Sequence, residues 1–220
     1  MSVEPEDLYD YDAVRRLGQA TMFVVRLTQP TLVLGSSQTM DVLHEDRLGS
    51  LVIRRRRGGG GIVLLQPDDL WIDWWIPQGD PRWSQDVHVS SIRSGGWWRE
   101  ALDPYVGGTA RVHEGSLEGE PSLRVVCFAG RGPGEVFVDE RKSVGLTQWR
   151  VREGIFVSTV IHAHASSEVV GLLREPPAGL REALDHHVIS SLGINDPEKL
   201  LQELVAISGP WLLRQLLLTA

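Results

Sequence analysis

The chain has 220 residues, of which 42% are hydrophobic, and a formal net charge of −7; this length is enough for one globular domain with a full core. The negative charge argues against a general nucleic-acid binder, and the lack of an apolar run of transmembrane length argues against a membrane protein. Cys127 is the only cysteine, which excludes an intrachain disulfide framework. Together with an acidic N-terminus that lacks a signal-peptide apolar region, it favours a cytoplasmic protein.

The first half of the chain predicts short strands, preceded by an N-terminal lead over about residues 1–20. Strands are expected at 22–27, 31–34, 51–53, 62–65 and 70–76, and short helices at 13–20 and 40–48. The run 70–76 is apolar on both faces except at Asp73, which is typical of a central strand. Four tryptophans in this region are candidates for lining an apolar pocket, although core packing is the commoner role of any one of them: Trp71, Trp74, Trp75 and Trp83.

The rest of the chain contains further strands and changes to helices in its last fifty residues, which indicates an α+β fold with a C-terminal helical tail over about residues 178–220. Strands are expected at 109–113, 123–128, 135–138, 143–150 and 155–162, and helices at 85–101, 178–192, 195–208 and 211–218. Gly95-Gly96 is a weak point inside the first of these helices. Gly193 is expected to end the second helix, and Asn195 is expected to cap the third.

The most unusual stretch runs from Arg54 to Gly61, where four arginines are followed by four glycines. Glycine lets the backbone approach a ligand closely, free amides can form an anion-binding nest, and arginine offers a planar fork to an anion. These properties indicate a small-molecule site for a ligand with an anionic end. The alternative is a solvated hairpin tip, which four consecutive glycines would weaken. We expect the side chains of Arg56 and Arg57 to face solvent.

Two later segments add chemistry to this loop. Val126-Cys127-Phe128 ends a predicted strand before a loop rich in glycine and proline. The segment from Glu135 to Arg150 reads Glu-Val-x-Val-Asp-x-Arg-Lys-x-x-Gly-x-x-Gln-x-Arg. Each motif is weak alone, but their order and spacing are more specific.

In this order the motifs resemble those of the biotin/lipoate protein ligase family, in its lipoate-protein ligase and cysteine-type octanoyltransferase branch. The resemblance covers roughly residues 31–161. It implies a single catalytic domain over 1–220, with a mixed, largely antiparallel sheet and helices packed on it. It also implies substrate-binding roles for seven residues: Arg54, Arg55, Gly58, Gly59, Gly60, Gly145 and Gln148.

The resemblance further implies that Lys142 lies against the reacting carbonyl and that Cys127 is a nucleophile. Acyl transfer needs a donor to the developing oxyanion, and a thiolate can take the acyl group and pass it on. A lone cysteine is more often a small buried hydrophobe, and a hairpin lysine is ordinarily solvated. Two departures concern histidines of the family pattern: Leu64 and Leu65 replace a His-Asp pair, and about Thr159 and Val160 replace a His-Gly pair.

The sequence is compatible with three functions. The first is transfer of lipoyl or octanoyl to a lysine through a Cys127 thioester. The second is an ATP- and Mg²⁺-dependent ligase that forms a lipoyl adenylate, and the third is an acyl-binding protein that has lost catalysis. The implied partners are the lipoyl domain of a 2-oxoacid dehydrogenase or a glycine-cleavage carrier protein, and also acyl carrier protein; no metal site, nucleic acid or membrane is expected.

Overall fold

Two β-sheets share one core in the computed structural model, which describes residues 5–189, 194 and 196–219. The strands are β1 (Glu6–Asp7), β2 (Thr21–Leu27), β3 (Thr31–Leu34), β4 (Val52–Arg55), β5 (Val63–Leu65), β6 (Leu70–Pro77), β7 (Ala110–Val112), β8 (Val136–Val138), β9 (Arg141–Val151), β10 (Gly154–Ile161) and β11 (Leu212–Leu218). The α-helices are α1 (Tyr11–Arg15), α2 (Val87–Leu102), α3 (Leu180–His187) and α4 (Pro197–Ser208). Within these residues the small sheet has the order β1-β4-β3-β5, and the large sheet has the order β11-β2-β6-β10-β9-β8-β7.

The predicted central strand is confirmed, because β6 lies between β2 and β10 and pairs antiparallel with both. Its side chains alternate between two apolar layers, as the period of a strand requires. Trp71 and Trp75 face the small sheet, whereas Ile72 and Trp74 face the layer that contains α2 and α4. Every neighbouring pair in the large sheet is antiparallel except β11 with β2. The expected α+β architecture with a largely antiparallel sheet is therefore confirmed.

Helix α2 passes through Gly95-Gly96 without a break. A Cβ at Gly95 would lie 2.1 Å from the carbonyl oxygen of Gly134. The glycine therefore permits the loop before β8 to pack directly on the helix. Asp86 caps the helix by accepting hydrogen bonds from the amides of His88 and Val89.

The prediction of a strand at 123–128 is wrong. The segment forms two 3-10 turns, Pro121–Val125 and Cys127–Ala129, on either side of Val126. The Ile62 amide donates to the Val125 carbonyl at 2.8 Å, and the Cys127 amide donates to the Ile62 carbonyl at 2.9 Å. These two bonds hold the segment across the end of the glycine loop, where it adds no strand to either sheet.

The prediction of helical turns at 211–218 is also wrong, because this stretch is strand β11. It pairs in parallel with β2 over seven residues, from Leu212 with Thr21 to Leu218 with Leu27. Leucine favours helices intrinsically, but the open edge of β2 offers backbone hydrogen bonds that outweigh this preference.

Two further helical segments differ from expectation. The stretch 40–48 forms two 3-10 turns, Met40–Val42 and Glu45–Arg47, and the buried Leu43 between them bridges to Leu173. Helix α4 is capped by Asp196, whose side chain accepts from the Lys199 amide at 3.0 Å. The expected signals at Gly193 and Asn195 lie outside the described residues. Among the described helices, none has the length and apolarity needed to cross a bilayer.

Candidate active site

An apolar cavity of about 30 Å³ lies between the two sheets and is called the inner cavity here. The small sheet contributes Val33, Val63 and Leu65 to its walls. The large sheet contributes a row of directly paired residues, Gly145 on β9, Val160 on β10 and Trp71 on β6. Because strands in a sheet are about 4.8 Å apart, this row spans about 10 Å. Of the four candidate tryptophans, Trp71 is the one that lines the cavity.

An open cleft of about 350 Å³, called the outer cleft here, lies next to the inner cavity. Its lining includes the glycine loop, Gln148 and Lys142. Cys127, Leu146 and Thr147 line both spaces. The two compartments therefore meet at the only cysteine of the chain.

The glycine loop is not a hairpin tip, because β3 lies between β4 and β5 in the small sheet. Gly60 has φ +91°, the left-handed region that favours glycine. A Cβ at Gly58 would lie 2.6 Å from Thr147 Oγ1, whereas a Cβ at Gly59 would meet nothing within 4 Å. Within the described residues, the amides of Gly58 to Gly61 donate no hydrogen bond to a protein acceptor. They are available to an anion in the outer cleft.

The expectation that Arg56 faces solvent is wrong, since the residue is only 5% exposed. Its Nε and Nη2 both donate to the Gly59 carbonyl, at 3.1 and 2.9 Å, and Nη2 also donates to the Gly61 carbonyl at 2.6 Å. Nη1 donates to the Val33 carbonyl at 3.4 Å. Arg56 thus fixes the glycine loop from inside and lines the inner cavity. Burial lowers the pKa of its guanidinium.

The other three arginines of the run lie elsewhere. Arg54 pairs with Glu6 at 3.2 Å, and Arg57 pairs with Asp7 at 3.0 Å. Arg55 donates to the Gln38 carbonyl. None of the three is among the described residues that line the inner cavity or the outer cleft. The acidic N-terminal lead therefore binds part of the run that we expected to bind a ligand.

Lys142 is a buried residue, not a solvated one, with 1% of its side chain exposed. Its Nζ lies 2.5 Å from Glu135 Oε1 and donates to the carbonyls of Cys127 and Gly130 at 2.9 and 3.0 Å. These three acceptors match the three protons of an ammonium group. Burial raises the pKa of Glu135, and the charge of Lys142 opposes that shift.

Gly145 and Gln148 support the site in different ways. A Cβ at Gly145 would lie 2.6 Å from the ring of Phe128, so the glycine lets that ring rest on the sheet beside Cys127. Gln148 donates to the Val87 carbonyl at 3.0 Å and to the Ser91 hydroxyl, which ties β9 to α2. The side-chain amide oxygen of Gln148 accepts a hydrogen bond from Arg150 Nη1 at 3.1 Å.

A buried carboxyl group lies in the row next to Trp71. Asp73 is paired with Ser158 across the sheet, and it accepts hydrogen bonds from Trp71 Nε1 at 2.7 Å and from the Tyr9 hydroxyl. Burial raises the pKa of Asp73 from 3.8 to about 7, against the lowering effect of these hydrogen bonds. Tyr9 of the N-terminal lead is thereby attached to the central strand β6, next to Trp71 of the inner cavity.

Sequence reasoning missed Arg56 and Glu135 as parts of the site. Glu135 directly precedes the apolar strand β8, and an acidic residue at the start of an apolar run was the one signal in the sequence. Arg56 has no distinguishing signal, because it is one of four identical neighbours. Among the described residues, no cluster of three or more His, Cys, Asp or Glu side chains is arranged to hold a metal ion.

No protein-family model and no curated protein matches the chain, but solved structures do. A lipoate-protein ligase A bound with ATP has a TM-score of 0.69 at 16% identity, over 94% of this chain and 81% of that one. A protein of T. acidophilum assigned as a lipoate protein ligase, with bound lipoic acid, has a TM-score of 0.70 at 13% identity, over 99% and 90%. This chain has the lipoate-protein ligase fold. A bipartite lipoate protein ligase of Thermoplasma acidophilum, studied with its E2 lipoyl domain, has a TM-score of 0.65 at 14% identity, over 96% of this chain and 80% of that one.

The lipoate-protein ligase fold was expected from the order of three motifs, and that expectation is confirmed. Because the sequence identities are only 13–16%, these similarities establish the fold and not the roles of residues. The roles of individual residues in this chain depend on the geometry described above.

Proposed function

We propose that the protein attaches a lipoyl or octanoyl group to a lysine of a lipoyl domain, by acyl transfer through a thioester on Cys127. The observation that carries this proposal is the position of Cys127 at the junction of an apolar cavity and an open cleft. An acyl chain that widens the inner cavity from its present volume of about 30 Å³ would place its carbonyl at the thiol. The acceptor lysine would approach through the outer cleft.

The two half-reactions use the same residues. The Cys127 thiolate attacks the carbonyl of an acyl thioester donor and forms a carbon–sulfur bond, while the donor's carbon–sulfur bond breaks and the donor leaves as a thiolate. The neutral amine of the acceptor lysine then attacks the new thioester, the bond to Cys127 breaks, and the Cys127 thiolate is released. The proton that the amine loses as the amide forms is taken up by the departed donor thiolate or by solvent. The free amides of Gly59 and Gly60 are donors that can stabilise the oxyanion in each step. The Lys142 ammonium can join them by releasing one of the two carbonyls that it binds in the structure.

An ATP-dependent ligase is the second candidate. A structure with the same fold is a lipoate-protein ligase A bound with ATP, and the unpaired amides of the glycine loop suit a phosphate as well as an oxyanion. In this mechanism ATP and Mg²⁺ would activate free lipoate or octanoate as an adenylate. The Cys127 thiol would then contribute packing alone.

The proposed acceptor is the lipoyl domain of a 2-oxoacid dehydrogenase or a glycine-cleavage carrier protein. A T. acidophilum ligase of this fold was studied together with its E2 lipoyl domain, which supports a partner of this kind. Acyl carrier protein is the corresponding thioester donor.

The experiment is transfer of octanoyl from its carrier-protein thioester to an isolated lipoyl domain, with and without ATP. The proposal predicts equal transfer in both conditions and none to a lipoyl domain whose target lysine is replaced by arginine. Transfer that requires ATP and free octanoate would establish the ligase instead. Octanoate binding without transfer in either condition would establish an acyl-binding protein.

A further inference from the structure

Arg56 is a buried cation without an anionic partner. It is 5% exposed, and its four hydrogen bonds all go to backbone carbonyls. No carboxylate of the described residues forms an ion pair with it. A buried charge is strongly unfavourable unless an opposite charge or a full set of hydrogen bonds compensates it. A guanidinium has five N–H groups, so its hydrogen bonding is nearly complete, but its charge is not neutralised.

Two titratable groups interact electrostatically with Arg56, the thiol of Cys127 and the hydroxyl of Tyr11. Of these two residues, Cys127 lines the inner cavity together with Arg56. A Cβ placed at Gly60 would lie 3.1 Å from Arg56 Nη2 and 3.7 Å from Cys127 Sγ, so both groups border the same point.

Lys142 does not serve this purpose in the structure. Its ammonium is held by the Glu135 carboxylate, whose charge offsets its own, and by the carbonyl oxygen of Cys127. The lysine therefore contacts the backbone of Cys127, while the arginine lies on the side of the sulfur.

We infer that Arg56 is the counter-cation of the Cys127 thiolate and a positioning residue for the thioester step. The guanidinium is placed to hold a negative sulfur at the mouth of the inner cavity. The catalytic meaning of this pair rests on the proposed function. The existence of the pair does not, because a thiol can be probed without any acyl substrate.

A purely structural role for Arg56 is the competing explanation, since the side chain also fixes Gly59 and Gly61. The two explanations predict different reactivities of Cys127 toward anionic and neutral reagents. If Arg56 only fixed the loop, anionic and neutral reagents would react with Cys127 at the same relative rates as with a free thiol. A counter-cation in a confined site raises the local concentration of anions by tenfold or more.

The experiment compares alkylation of Cys127 by anionic iodoacetate and neutral iodoacetamide in the native protein, with glutathione as the reference thiol. We expect the iodoacetate-to-iodoacetamide rate ratio to be about tenfold higher for Cys127 than for glutathione. Arg56→Met should lower the ratio to that of glutathione, and Arg56→Lys should retain part of it. Arg57→Met is the matched control, because Arg57 is exposed and paired with Asp7, and it should leave the ratio unchanged.

Two results would overturn the inference. One is a ratio in the native protein equal to that of glutathione, which needs no variant and so does not depend on the folding of Arg56→Met. The other is an undiminished ratio in an Arg56→Met protein whose circular dichroism shows that it is folded. A raised ratio in a protein that transfers no octanoyl would refute the proposed function and leave the ion pair established.

Discussion

The outer cleft and the inner cavity each contain one buried cation, and the two cations are compensated differently. In the outer cleft, Lys142 lies 2.5 Å from the Glu135 carboxylate. In the inner cavity, Arg56 is bound only by carbonyl oxygens among the described residues. The cleft therefore holds a nearly neutral pair, while the cavity retains a net positive charge next to Cys127.

This difference suits the two cations to different roles in the reaction. A lysine held by a carboxylate and two carbonyls has a fixed position, and it can donate to a transition-state oxyanion when one of the carbonyls is released. A positive charge that lacks a partner is better suited to a group that becomes anionic during the reaction. The predictions below test each compartment separately.

The largest effect is expected from removing the cation of the outer cleft. Lys142→Ala should lower the rate of transfer at least about a hundredfold, the order of magnitude that one electrostatic donor contributes. Lys142→Arg should not restore the rate, because a planar fork does not reproduce a point ammonium. The measurement is the single-turnover rate of octanoyl transfer to a lipoyl domain.

Loss of folding must be separated from loss of chemistry in this variant. Breaking a buried ion pair by removing one partner destabilises a protein by about 3–5 kcal/mol, so urea unfolding of Lys142→Ala should accompany the assay. The double variant Lys142→Met/Glu135→Gln removes both charges and should recover stability without activity. Transfer at the wild-type rate in either folded variant would contradict the role of Lys142.

The glycine loop offers a second test of the outer cleft. A Cβ at Gly59 would meet nothing within 4 Å, so Gly59→Val should fold normally while its side chain projects into the ligand space. We expect octanoyl-donor binding to weaken at least about tenfold. Gly60→Val is the contrasting variant, because φ +91° at that position disfavours a β-branched residue, and it should lose stability as well. Unchanged affinity in Gly59→Val would remove the loop from the site.

The smallest effect on the transfer rate is expected at Asp73, next to Trp71, where the change appears in stability instead. Burial raises the pKa of Asp73 from 3.8 to about 7, so between these values the folded protein holds a proton that the unfolded chain has released. The stability contributed by Asp73 is thus fully present below the lower value and is lost as pH rises through about 7. The free energy of unfolding should fall by up to about 1.4 kcal/mol per pH unit within this range.

Asp73→Asn removes this titration and should flatten the dependence of stability on pH. The measurement is urea unfolding of both proteins at several pH values between the two limits. If the variant and the wild type lose stability with the same slope, Asp73 is ionised in the folded protein at all these pH values.

Much of the fold was predictable because its signals are local. The apolar run of β6 identified a central strand. The separate strands expected at 135–138 and 143–150 are β8 and β9, with a charged turn at Asp139-Glu140 between them, where both φ values are positive. The failures were non-local. β11 is a strand because the edge of β2 is open beside it, and the segment 123–128 is turned because it must cross the end of the glycine loop.

The candidate site was predictable to a lesser degree. Motif order brought Cys127, Lys142 and the glycine loop together, and the structure places them around one cleft. The same reasoning could not separate four consecutive arginines. Their environments depend on the N-terminal lead, which supplies Glu6 and Asp7 to Arg54 and Arg57 and leaves Arg56 to the cavity.

The most direct test of the central claim is the intact mass of the protein after incubation with an octanoyl thioester donor in the absence of ATP. The account predicts one added octanoyl group, located on the peptide that contains Cys127, which disappears when a lipoyl domain is added. Cys127→Ser should bind the donor but carry no adduct and transfer nothing, because a serine hydroxyl without a dedicated base is a weak nucleophile. Full, ATP-dependent transfer by Cys127→Ser, with no adduct on the wild-type protein, would contradict the account.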